Sequence, residues 1–230
     1  MHIYQLFFHI QLAKDLSYYE SIDFLSKNVN RIIFESLLLR TLHESKQPKP
    51  YVVGSLGATG KDRLYHKATP YTLTIRTIDE GVAKEFIEAS KKAKLQDILI
   101  EKAHYKKFHI GPIDKLYTIT PAVLTVEKNR YWTPEDDLML LVRNLKNNLL
   151  KKYRIFFKND IILRDELIEF FKVENKIPIA FKYKDGKILA NRFTLGFAKD
   201  PASQKLAKLA FGVGVLEKNS LGFGMVIRGK

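Results

Sequence analysis

The residues able to do chemistry in this chain fall mainly in two places. The C-terminal stretch "AFGVGVLEKNSLGFGMVIRGK" holds five of the twelve glycines, Gly212, Gly214, Gly222, Gly224 and Gly229, with Lys218 among them. Glycine permits left-handed turns and close backbone approach at an entropic cost. Such a run is either a cluster of turns or a loop shaped to lie against something. The segment "LHESKQPKPY" at 42–51 sets His43 shortly before Lys46 and Lys49. An imidazole, with a pKa of about 6.5, can take or give a proton at neutral pH. On residue types alone, the same histidine reads more readily as a cation near a helix C-terminus, favoured there by about 0.3–1 kcal/mol. His104 and His109 lie in a strand-like run and His66 in a loop, and they read as structural or surface residues.

Other chemistries are excluded by spacing or composition. "GSLGATGKDR" at 54–63 invites comparison with a phosphate-binding P-loop, but Ser55 stands where that pattern needs glycine and Asp62 where it needs serine or threonine. "LGFGMVIR" resembles the RNA-binding octapeptide of an RRM, yet too little chain follows it to supply the helix and strand that an RRM still requires. With no cysteine, disulfides and thiolate metal sites are both out. There is no H-E-x-x-H and no clustered acidic motif either, so neither a metal nor another cofactor is expected.

Charge narrows the class of partner. Thirty-nine Lys and Arg against 25 Asp and Glu leave a net charge of +14, which favours a polyanion such as nucleic acid. No block of five like charges occurs, so a disordered basic tail is not the source. A hydrophobic fraction of 46% with 28% charged residues describes an ordinary globular chain, with no apolar run approaching the roughly 20 residues that span a bilayer. The opening "MHIYQLFFHIQLAKDL" reads as a strand and not as a leader, so the expected address is the cytoplasm, with no membrane partner.

The elements that must position these residues repeat once. Partial alternation gives a strand over 2–12, then helical spacing of Ile22, Leu25, Val29, Ile32 and Ile33 predicts one helix over 21–42. Strands follow at 51–56 and 71–78, a helix at 79–93 with acids first and lysines last, and a strand at 97–110. "GPIDK" at 111–115 marks a boundary, dividing the chain into 1–113 and 114–230. The second half reads as a strand at 116–126 and a helix capped by Thr133 with Pro134 at its first position. Strands at 165–173 and 177–198 follow, the latter turning at Asp185-Gly186. A helix from Asp200-Pro201 to about Ala210 and a last strand beginning at "GFG" complete it. The expected class is α+β, two tandem ferredoxin-like βαββαβ domains. Arg143, Lys146, Lys151, Lys152 and Arg154 cluster on and after the long second-half helix.

Gly212, Gly214, Glu217, Lys218, Asn219, Ser220, Gly222, Phe223 and Gly224, in a GxG and a GFG flanking "EKNSL", resemble the glycine-rich loop of the RAMP superfamily. More specifically, a basic duplicated α+β chain ending in this loop is similar to the CRISPR-associated repeat-processing endoribonucleases, the Cas-six family. The resemblance implies that Gly212, Gly214, Lys218, Asn219, Ser220, Gly222, Phe223 and Gly224 bind RNA, with glycine N–H groups close to phosphate. It also implies that 42–51 matches the segment carrying a catalytic histidine and lysine, making His43 the histidine and Lys49, or else Lys46, its cationic partner. The reaction so implied is metal-independent cleavage of precursor crRNA within CRISPR repeat RNA, by the 2′-hydroxyl, leaving a 2′,3′-cyclic phosphate and a 5′-hydroxyl. A homodimer or a CRISPR effector complex is the assembly to expect. The chain departs from relatives that carry a tyrosine on the first helix, since 21–42 has none. That departure favours a rival: a non-cleaving RAMP-type subunit that holds repeat or guide RNA.

Overall fold

The computed structural model describes residues 1–127, 130–163 and 165–229. In the first half, β1 (Ile3–Leu12) is followed by α1 (Ser21–Phe34), α2 (Leu37–Glu44), β2 (Tyr51–Val53), β3 (Pro70–Thr77), α3 (Glu80–Lys92) and β4 (Ile98–Phe108). In the second, β5 (Lys115–Thr118), α4 (Leu138–Phe157) and β6 (Ile168–Val173) lead to a hairpin of β7 (Ile179–Tyr183) and β8 (Gly186–Ala190). The half closes with β9 (Phe193–Phe197), α5 (Pro201–Val213) and β10 (Val226–Arg228). The first sheet runs β2-β3-β1-β4 and the second β6-β9-β5-β10, with antiparallel neighbours throughout. Counted within each half, both orders are second-third-first-fourth. Each half is a ferredoxin-like βαββαβ unit, as the element order predicts. Among the described residues no helix is long and apolar enough to cross a membrane.

Local chemistry accounts for most boundaries and for the departures from expectation. Asp79 and Asp200 cap α3 and α5 by accepting from the N–H groups of Val82 and of Ala202 and Ser203. The single helix expected over 21–42 is two. Ser36 is extended (φ −129°, ψ 127°), accepts from the Leu39 N–H and donates to Glu85, so it starts a new helix in a new direction. Thr133 is not the cap of α4: its N–H and hydroxyl donate to Asp136, forming a turn, and Asp137 caps instead. The strand expected over 116–126 stops at Thr118, ahead of Pro121, which has no N–H for a ladder. The run 177–198 is three strands. Its tight turn is Lys184–Asp185, with Lys184 at φ 53° and Gly186 already paired to Tyr183. α5 runs to Val213, which puts Gly212 inside a helix, and the last strand begins only at Val226, which leaves Gly222 and Gly224 in the loop.

The two units interlock. Phe181, Ile188 and Ala190 of the β7–β8 hairpin join the core of the first unit, where Phe181 lies 5.2 Å from the Tyr18 ring, while Ile3 of β1 joins the core of the second. Arg76 on β3 makes the polar counterpart of this exchange. Its buried guanidinium donates to the carbonyls of Phe211 (2.8 Å) and Val226 (2.7 Å), takes Gln5 through Nε, and lies 3.8 Å from the Phe211 ring centroid. Those two carbonyls, on α5 and β10, would otherwise lose this donor, the Val226 carbonyl in the buried interior and the Phe211 carbonyl partly buried. Arg76→Met keeps the volume but leaves them unpaired, so urea unfolding should show a loss of about 2–3 kcal/mol, with the far-ultraviolet dichroism of the folded state unchanged.

Candidate functional site

The glycine-rich loop begins where α5 ends. Gly214 (φ 80°) terminates the helix, its N–H bonded to the Ala210 carbonyl. The chain then doubles back, so that the Val215 N–H donates to Gly224 and the Gly224 N–H to Pro121, both at 2.9 Å. A short 3₁₀ turn, Asn219–Leu221, separates these ends, entered at Lys218 (φ 57°) and left at Gly222 (φ 110°). Glycine is required at two points for want of space as well as for positive φ. A Cβ on Gly224 (φ 71°) would sit 2.2 Å from the Val215 carbonyl oxygen, and one on Gly214 would sit 2.7 Å from the Asn219 amide.

A buried ammonium holds the loop in this shape. Lys152 of α4 is 3% exposed, and its Nζ donates to the carbonyls of Gly214 (2.9 Å) and Leu216 (3.0 Å) and to Asn219 Oδ1 (2.7 Å). Asn219 passes the constraint on, its Nδ2 donating to Val215 and Phe223 carbonyls at 2.9 and 3.0 Å. Burial pushes the Lys152 pKa down to about 7, with the Glu217 carboxylate acting in the opposite direction. Glu217 itself is pinned to Thr125, accepting from its N–H and its hydroxyl.

The loop residues therefore divide in a way their spacing does not reveal. Gly212 packs within α5, where a Cβ would come 2.6 Å from Ile78, and Phe223 is fully buried with its ring 5.6 Å from Phe181. Gly214, Asn219, Gly222 and Gly224 are also buried, and the N–H groups of the three glycines go to protein carbonyls. In this structure those amides are spent on protein carbonyls, and the glycines shape the loop. Lys218 and Ser220 are the ones that remain partly accessible.

Both reach a cleft of about 280 Å³ that joins the two motifs. Lys46, Gln47, Pro48 and Lys49 form one wall, Asn148 and Lys151 of α4 another, and residues 216–220 the third. The Lys49 Nζ donates to the carbonyl and hydroxyl oxygens of Ser45, just past the end of α2, and partial burial lowers its pKa. His43 stands in the last turn of α2, half-buried, with its ring edge-on to Phe34 at 5.8 Å between centroids, and it does not line this cleft. Tertiary structure thus brings Lys46 and Lys49 to Lys218, Asn219 and Ser220, and leaves His43 at the margin. Residue types alone put Lys151 and Lys152 in one basic cluster without saying which way each faces. The signal that separates them is the spacing of Leu141, Leu145, Leu149 and Lys152, the buried residues of α4, so that Lys152 continues an apolar stripe.

A family model described as the C-terminal region of CRISPR associated protein Cas6 matches residues 111–227. The chain belongs to the Cas6 family. Among curated relatives, the CRISPR-associated endoribonuclease Cas6 2 of Methanocaldococcus jannaschii is 26% identical over 160 residues, covering 64% of this chain and 66% of that relative's own length. Among solved structures, a CRISPR associated protein Cas6 superposes with a TM-score of 0.74 at 21% identity, covering 99% of this chain and all of the other. A RAMP protein described as binding different RNA substrates gives 0.73 at 17% identity over the whole of both chains. A Cas6-related protein from Pyrococcus furiosus gives 0.69 at 20%, over 100% of this chain and 98% of that one. At these identities the likeness establishes the fold, and it agrees with the paired ferredoxin-like units of the Cas6 and RAMP structures.

Because Lys152 binds its last proton more weakly in the fold than the ordinary lysine pKa of 10.5, the unfolded chain holds more protons between about pH 7 and 10.5, and stability from this group rises across that window. Comparing urea unfolding of the parent and Lys152→Met at several pH values isolates the effect. The difference in stability between parent and variant should move in favour of the parent as pH rises from 7 toward 10. A difference independent of pH would show that Lys152 keeps an ordinary pKa.

Proposed function

We propose that this Cas6-family chain processes CRISPR precursor RNA by cutting within the repeat, residues 1–113 carrying the cleaving segment and residues 114–230 the loop that helps hold RNA. One observation carries the proposal: the segment with Lys46 and Lys49 meets Lys218 and Ser220 of the glycine-rich loop across a single cationic cleft. The M. jannaschii relative is described as an endoribonuclease, which supports the same reading.

The chemistry needs little from the protein, because RNA supplies its own nucleophile. His43 takes the proton from the 2′-hydroxyl beside the scissile phosphate, and that oxygen attacks phosphorus. The added negative charge on the phosphoryl oxygens is met by the ammonium of Lys49, with Lys46 and Lys218 adding to the local potential. The P–O5′ bond then breaks. The departing 5′-oxygen takes a proton from Lys49, whose lowered pKa makes it a readier donor, or from the imidazolium. The products are a 2′,3′-cyclic phosphate and a 5′-hydroxyl, with no metal in the proton bookkeeping. A second reading, an RNA-holding RAMP subunit that does not cut, is favoured by the His43 ring lying against Phe34 and by the absence of tyrosine from α1.

Two experiments test the proposal. Repeat RNA incubated with the protein in excess EDTA should still be cut and carry a cyclic phosphate, and a 2′-deoxy nucleotide 5′ of the cut should block the reaction. Strict dependence on Mg²⁺, or cutting of the deoxy substrate, would contradict the mechanism, and tight binding without any cut would establish the second reading. Separately, His43→Ala should slow single-turnover cleavage by about 10²–10⁴-fold with repeat affinity nearly unchanged. Lys49→Ala should also slow it, and parental rates in both variants would remove these residues from the site.

A further inference from the structure

Outside the cleft, a second cationic depression is a groove of about 680 Å³ between α1 and the segment joining α3 to β4. Lys27 and Arg31 face it from α1, Lys92 and Lys94 from the other side, and Phe34 closes one end. Lys27, Arg31 and Phe34 are four and then three residues apart, which stacks them on one face of the helix. Glu35 is the one acid in the lining, so four cations meet a single carboxylate. The Arg31 guanidinium is steadied by neutral acceptors, the Lys94 carbonyl (3.3 Å) and Gln96 Oε1 (3.4 Å), which orient it without cancelling its charge. Lys27 pairs with Asp23 at 2.6 Å, whereas Lys92 and Lys94 enter no ion pair among the described residues.

Phe34 links this groove to the candidate cleavage site. It is 47% exposed, a large apolar ring left in water at the rim of a cationic channel, and it touches the His43 ring. His43 precedes Lys46 by three residues and Lys49 by six, and those two lysines open into the first cleft. The imidazole therefore stands between two cationic depressions. We propose that the α1–α3 groove is a second RNA-binding track: Lys92, Lys94 and Arg31 take phosphates of the strand on one side of the cut, and Phe34 stacks one base. The proposal rests on the RNA reading above and adds to it how the scissile phosphate is held. A strand fixed on both sides of His43 loses the freedom that would carry its 2′-hydroxyl away from the base. Phosphate explains the cations, and a nucleobase explains an exposed phenyl ring beside them, since stacking tolerates any base.

The test uses the full chain and a repeat RNA long enough to reach both depressions. Lys92→Gln/Lys94→Gln removes two surface charges remote from the cleft. It should weaken binding about 10-fold and reduce the slope of log affinity against log salt by about 1.4, as expected for two lost phosphate contacts on a single strand. Single-turnover cleavage at saturating protein should also slow, because the strand is then held on only one side of His43. Phe34→Leu is read by binding alone, because the ring also packs on His43, and should weaken affinity about 5-fold or more. Thermal unfolding of each variant shows whether the fold is intact. Well-folded variants that keep parental affinity and salt slope would overturn the proposal. A parent that binds repeat RNA without cutting it would sink the cleavage mechanism while the binding arms still decide the groove. A parent that does not bind RNA, or a groove that takes an acidic peptide in its place, would overturn the track itself.

Discussion

An ammonium with no access to water must find oxygen atoms within the protein, and Lys152 finds three. Two are main-chain carbonyls at the start of the glycine-rich loop and the third is the side chain of Asn219, whose own amide closes the loop onto Val215 and Phe223. Each of these bonds limits the others. The chain can bring the carbonyls of Gly214 and Leu216 to one nitrogen only by turning sharply, and the sharp turn leaves no room for a Cβ at Gly214 or Gly224. The dense glycines and the buried lysine are therefore one device seen from two ends. What it presents outward is modest in size: Lys218 at the entrance to a 3₁₀ turn and Ser220 within it, both facing a cleft.

Rigidity there depends on how the two halves are joined. Identical strand orders would allow two independent units on a linker, but the cores are exchanged at their margins. Phe181 from the second half packs with Tyr18 of the first and with Phe223 of the loop, while Arg76 from the first half holds α5 and β10 of the second. The loop thus sits where both units converge, and the opposite wall of the cleft, residues 46–49, follows α2 of the first unit. A cleft assembled from both units keeps its geometry only while the units stay in register. That gives the buried guanidinium of Arg76 a bearing on function although it lies away from the cleft.

The electrostatic arrangement follows the same logic of burial. Cations in and around the cleft differ in what their charge can do. Lys152 is enclosed and shifted toward neutrality, Lys49 is partly enclosed and lowered, Lys218 is partly accessible and Lys46 is exposed. Under the proposed cleavage, such a gradient would let one group organise backbone, a second exchange a proton and others attract an anion, although all are lysines. The net charge of +14 makes a polyanion the natural partner in bulk. Only the local gradient separates the roles.

Much of this was legible in the order of residues. Alternation and helical spacing, with caps such as Asp79 and Asp200, are local preferences, and they were enough to specify two βαββαβ units and the class of fold. The glycine-rich loop and the segment at 42–51 stand out as short contiguous motifs, and the fold sets Lys46–Lys49 and the loop on one cleft. Where local signals misled, a single side chain had a second option: Ser36 chose to cap and break a helix, and Thr133 to close a turn with Asp136. The tertiary structure alone decided which face each motif presents. It buried Gly212, Asn219 and Phe223, left Lys218 and Ser220 open, turned His43 toward Phe34, and drew Lys152 off the surface into the loop. The physical reason is that periodicity records which residues share a face, whereas the direction of that face and the partners it meets depend on contacts between residues as far apart as Arg76 and Val226.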